Sequence, residues 1–222
     1  MKFLIPALAN VLVVLLGAIV PVAAAPAASG LVPVRAMDFD EALQQPGADF
    51  RSYRKILIDP AEVTFDENWL GDVNRRGATL SGRVTRGEAQ AIVEAARKSF
   101  DASWTDAFRA AGYEIVASPG DGVLRLSPRV ADLYVNAPTA VTSGIARNYV
   151  AEAGVATLFL EIRDSRTGMI VGRFRDRRHT MKSPTPMRID AGTNDREFGR
   201  LFGLWAGIAA RGLSELAANS PK

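Results

Sequence analysis

The chain has 222 residues, 48% apolar and 23% charged, with a formal net charge of +3 and no cysteine. That length suits one domain plus a leader, with enough apolar residues for an ordinary core. The lack of cysteine excludes disulfides, thiolate metal sites, a cysteine nucleophile and the lipidated cysteine of bacterial lipoproteins, and so modest a charge argues against nucleic acid as a partner.

Residues 1–27 read as a secretory signal peptide. Lys2 precedes an apolar run to Val20, Pro21 breaks it, and Val22-Ala23-Ala24 and Ala25-Pro26-Ala27 both fit the small-x-small cleavage rule. A retained membrane anchor is the alternative, because a span needs about 20 apolar residues. Either way the chain is exported to the periplasm or envelope. Residues 28–52, rich in Pro, Gly and Ala, read as a tether, and residues 53–218 as a single α/β domain with a tail at 219–222.

Tyr53 to Phe65 alternates around Ile56, Ile58, Val63 and Phe65, a strand interrupted at Asp59-Pro60 because proline cannot donate to a ladder. Residues 66–84 read as loop. Thr85-Arg86-Gly87-Glu88 is a capping box opening a helix whose stripe is Ile92, Ala96, Phe100, Trp104 and Ala107, with Phe108 beside it; Gly112 ends it. A short strand at 113–117 and the turn Pro119 to Gly122 follow. Val123 to Val135 is a strand whose internal Pro128 implies an edge, a bulge or two pieces.

Residues 136–154 read as loop. Val155 to Arg163 and Met169 to Thr180 form a hairpin about Asp164-Ser165-Arg166-Thr167-Gly168, and 181–193 is again loop. Asn194-Asp195-Arg196-Glu197 caps a last helix with Phe198, Leu201, Phe202, Trp205, Ile208, Ala209, Leu213 and Leu216 on its buried stripe. The order predicts an α/β two-layer sandwich, a mixed sheet of about five strands with two amphipathic helices on one face.

Three phrases, YRKILIDPAEV (53–63), GYEIVASPGDGVLRLSPRVADL (112–133) and FLEIRDSRTGMIVGRFRDRR (159–178), resemble in order and spacing the bacterial exported lipoprotein-type family of domain of unknown function 3313. The resemblance covers roughly residues 50–218 and implies envelope location and an α/β fold. It implies no activity or catalytic residue, and this chain departs from it by lacking the lipobox cysteine.

His179 is the lone histidine, so a serine triad has one candidate base and a zinc site no second imidazole. It reads as a solvated strand-end residue. Asp59 before Pro60 reads as a turn former, although Asp59 with Glu62 could serve a carboxylate-dependent hydrolase. Pro119 to Gly122 lacks the Gly-Lys-Ser/Thr of a phosphate loop. Trp69, between Asn68 and Leu70, is less easily buried than the helical aromatics and could serve as an exposed anchor.

Arg173, Arg175 and Arg177 fall two apart and so share one strand face, with Arg178 adjoining. Across 163–188, eight Lys/Arg stand against two Asp/Glu, so the row can bind an anionic partner or guard a sheet edge. A simple register through the turn sets Arg173 opposite Leu160 on an apolar face. A bulge, or a row running past the covered sheet, would resolve that conflict. The reading is a non-enzymatic envelope accessory protein, without cofactor or metal, that binds an envelope protein or anionic component through Arg173, Arg175, Arg177, Arg178 and Trp69. The alternatives are a lipid or small-ligand carrier and a carboxylate hydrolase.

Overall fold

A computed structural model describes residues 30–35, 37–76, 83–136, 149–150, 152–182, 184–185, 187–188 and 191–220. The expected leader, residues 1–27, lies outside the described residues. Among those described, no helix is long and apolar enough to cross a membrane.

The strand expected at 53–65 forms as two halves, β3 (Lys55–Ile58) and β4 (Glu62–Phe65), both parallel to β6 (Val123–Val135). The break between the halves explains how β6 carries Pro128 yet stays one central strand. The Leu126 carbonyl accepts from the Asp59 N–H, so by strand alternation the Pro128 nitrogen faces the same side, where its neighbour is interrupted at Asp59–Pro60. The absent donor therefore costs no ladder bond. Further along, Asp132 adopts φ 52° and the register with the strand at Gly154–Asp164 shifts between Ala131 and Tyr134; such a bulge suits Asp, which tolerates the left-handed region.

β8 (Gly154–Asp164) and β9 (Ile170–His179) form the expected hairpin. Its turn is held by Asp164, whose Oδ1 accepts from the Thr167 N–H (2.7 Å), the Thr167 hydroxyl (2.8 Å) and the Arg166 N–H (3.1 Å). Gly168 takes φ 72°. Gly154 fits where no other residue does: a Cβ there would sit 2.0 Å from the Tyr134 carbonyl oxygen and 2.8 Å from the Phe198 ring.

The mixed α/β expectation holds, but the sheet has eight strands rather than about five. The extra strands come largely from the segment read as a tether. β1 (Val32–Pro33) and β2 (Glu41–Gln44) add antiparallel strands beyond β9, and Met37, Ala42 and Phe50 are buried. A single small core-facing residue, Ala42, gave β2 no visible period. β5 (Glu114–Ile115) pairs with β3, and a separate ladder joins β7 (Tyr149–Val150) to β10 (Met187–Arg188) within stretches expected to be loop.

The capping box is present, with Thr85 and Glu88 satisfying each other's backbone donors, and it opens α2 (Arg86–Ala110). α1 (Trp69–Arg76) lies before it, in a stretch expected to be loop. α3 (Ala191–Asn219) starts before the expected cap at Asn194. Phe100 of α2 meets Phe202 of α3 edge-on at 5.5 Å, and both helices pack into one core with Leu126, Val130, Leu158 and Leu160 of the sheet. Burying one apolar stripe of each helix against one sheet face leaves the other sheet face to polar side chains.

Candidate functional site

Neither α2 nor α3 covers the second face of the sheet. The ladder aligns five residues there in one row across five strands. Glu41 pairs with Arg175, Arg175 with Phe159, Phe159 with Arg129, and Arg129 with Glu62. The row thus reads Glu–Arg–Phe–Arg–Glu over β2, β9, β8, β6 and β4. Both arginines and both glutamates are exposed.

The Arg129 guanidinium lies 4.3 Å from the Phe159 ring centroid and that of Arg175 lies 5.8 Å from it. Stacking on an aromatic ring holds a guanidinium in place while its N–H edges stay available. Among the described residues, neither guanidinium has a carboxylate partner, and neither Glu41 nor Glu62 has a cationic one. A hollow of about 610 Å³ opens over this row, bordered by Leu43, Ser127 and Arg173.

The other charges on this face are paired. Glu161 takes Arg173 at 2.8 Å and Arg163 at 2.5 Å. Asp59 accepts from Arg125 Nε at 2.9 Å and from the Ser127 hydroxyl at 2.6 Å. Arg177 donates to Thr157 Oγ1 at 3.1 Å and stands 3.5 Å from Asp132. These pairs neutralise the surroundings and leave the central row as the part that offers charge outward.

The structure thus places Arg173, Arg175 and Arg177 together on the uncovered face. A bulge resolves the register conflict: the ladder shifts between Ile162 and Arg163, so Arg173 stands opposite Glu161, not Leu160. Arg178 departs from the expected set. It lies on the helix-covered face, where its Nε bonds the buried Asp176 and its Nη2 donates to the Asp38 carbonyl at 2.7 Å. Trp69 departs further, for it is fully buried instead of exposed. Its ring stacks on Phe65 at 3.7 Å and its Nε1 donates to the Val135 carbonyl at 3.0 Å. The indole is long enough to fold back from α1 onto the end of the sheet, satisfying its one donor. His179 contacts Glu152 at 3.1 Å at the strand end.

Arg129 and Phe159 escaped the sequence reading, although Arg125 and Arg129, four residues apart, share a strand face by the same alternation that singled out Arg173 and Arg175. Among the described residues, no group of three or more His, Asp or Glu is placed to hold a metal ion.

No known protein family and no curated protein matches the chain. Solved structures with a similar chain path include a PelC dodecamer from Paraburkholderia phytofirmans (10% identity, 75% of this chain and 96% of that one, TM-score 0.37). They also include protein XCC0632 from Xanthomonas campestris, labelled DUF330 (11% identity, 79% and 93%, TM-score 0.38). A third is a homolog of a neuraminyllactose-binding hemagglutinin from Helicobacter pylori (10% identity, 77% and 87%, TM-score 0.29). Likeness at these scores assigns no function to this chain, and the family label on XCC0632 is a different domain of unknown function from 3313.

Proposed function

We propose that this chain is an exported, non-enzymatic protein of the bacterial envelope, related to the family of domain of unknown function 3313, that docks a partner bearing acidic groups on the uncovered face of its sheet. The observation that carries this reading is the pair of acid-free guanidiniums, Arg129 and Arg175, on either side of Phe159. Arginines held by an aromatic ring lose little freedom on binding a carboxylate bidentately. The leader-like N-terminus supports the periplasmic location. Crosslinking in intact cells tests the reading: Arg129→Glu with Arg175→Glu should remove the crosslinked partner while the protein still melts cooperatively, only slightly lower. Undiminished crosslinking in that variant would sink it.

A second reading, a carrier of an apolar ligand, draws on a hollow of about 430 Å³ between α2, α3 and the sheet, walled by Ile92, Leu133, Val135, Phe198 and Phe202. Native mass spectrometry of the purified protein would show bound lipid if this reading is right. The hydrolase alternative gains nothing from Asp59, whose carboxylate is already held by Arg125 and Ser127.

A further inference from the structure

The row Glu41–Arg175–Phe159–Arg129–Glu62 has a property its separate residues lack: it reads the same from either edge. Two copies laid face to face and centred on one another would set like against like. Displaced by one strand spacing, about 4.8 Å, Arg175 meets Glu62 and Arg129 meets Phe159, and Glu41 of each copy lies outside the overlap. We infer that the uncovered sheet face is a docking surface for a second copy of this chain, with the two rows offset by one strand. The inference rests on the docking role proposed above and names its occupant.

A two-fold axis parallel to the strands, passing midway between β8 and β6, generates that offset. It sets Arg175 of one copy against Glu62 of the other, and Arg129 of one over Phe159 of the other, each contact occurring twice, as an isologous interface requires. Sheets packed face to face stand about 10 Å apart, a gap that an arginine and a glutamate from opposite sides span. The same operation brings Arg173 toward Asp59 and Glu161 toward Ser127 of the second copy, so the next row adds complementary polar contacts. Arg175 and Glu62, each without an ionic partner among the described residues of one copy, meet in this arrangement, and that selects a second copy over an unrelated acidic chain.

Sedimentation and light scattering of the purified full chain, over a wide concentration range, test this. The wild type should be dimeric. Arg175→Glu alone and Glu62→Arg alone should each be monomeric, because each homodimer would then hold two like-charge contacts. An equimolar mixture of the two variants should recover the dimer mass, because both cross contacts are again opposite in sign. That rescue also shows that both variants are folded. A wild type that stays monomeric, single variants that stay dimeric, or a mixture that does not pair would overturn the inference. If the wild type is monomeric while crosslinking to another envelope protein still depends on Arg129 and Arg175, self-docking fails and the docking function stands.

Discussion

The Trp205 indole donates to the Asp176 carboxylate at 2.7 Å, and both residues are almost fully buried. This bond ties α3 to β9 from inside the core. The other Asp176 oxygen accepts from the Asp40 N–H at 3.1 Å, and Asp40 accepts in turn from the Arg177 N–H at 2.8 Å. Arg178 completes the group. A buried carboxylate is tolerable only when so satisfied. The arginine-rich hairpin therefore has two tasks: its inward residues lock the N-terminal strand and the last helix, and its outward residues form the exposed face.

Removing Asp176 leaves the buried Trp205 donor without its acceptor and Arg178 with Asp38 alone. Asp176→Ala should lower the unfolding free energy by about 3 kcal/mol, and Trp205→Phe by about 1–2 kcal/mol. Urea denaturation checks both. A loss below about 0.5 kcal/mol for Asp176→Ala would contradict the structural role, since that is the range of ordinary surface changes.

The central row should behave in the opposite way. Arg129→Ala and Arg175→Ala each remove one exposed guanidinium stacked on Phe159, which contributes about 0.5–1 kcal/mol. Melting curves should scarcely move, while docking is lost. A large drop in stability would mean that these residues hold the fold instead of facing a partner.

Alkaline stability should depend on Tyr53. Burial, and then its hydrogen bond to the Asp164 carboxylate at 3.1 Å, push the Tyr53 hydroxyl up to about 12. In the unfolded chain the phenol ionises near 10. The contribution is therefore fully present below that pH and is lost as pH rises from about 10 to about 12. Urea midpoints of the wild type should fall relative to Tyr53→Phe across that window. Parallel curves would contradict the assignment.

At acid pH the other end of that bond matters. Burial works against ionisation of Asp164, but the hydrogen bonds from Thr167, Tyr53 and Arg166 outweigh it and hold the carboxyl below its ordinary value. Its contribution is present above the ordinary carboxylate range and is lost as pH falls through the depressed value. Asp164→Asn should flatten that part of the acid limb, as read by denaturation at successive pH values.

Gly154→Ala should cost roughly 3 kcal/mol, because the new methyl would enter the space of the Tyr134 carbonyl and the Phe198 ring. Gly203→Ala, on open space in α3, serves as the comparison and should be neutral or slightly stabilising.

Much of the fold was readable where the signal is local. The capping box at Thr85, the Asp164 turn, the interrupted strand at Pro60 and the stripes of the two long helices all lie within a few residues of sequence. What escaped depends on distant partners. β2 has one small inward residue and forms because β9 offers it an edge, through Asp40 and Asp176. α1 forms because Trp69 finds Phe65 and the Val135 carbonyl. The candidate site was half legible for the same reason. Strand alternation puts Arg173, Arg175 and Arg177 on one face, but only the register across β8 shows that Arg173 is neutralised by Glu161 while Arg175 is not. The same register brings Phe159 and Arg129 beside Arg175.

The central claim is that the uncovered sheet face docks a partner, and a photoreactive phenylalanine analogue in place of Phe159 tests it most directly. The same analogue at Leu204, exposed on α3, is the control. Irradiation of intact cells should give a discrete crosslinked product from position 159, to a second copy or to a different protein, and none from position 204. No product from 159, or equal products from both positions, would contradict the account.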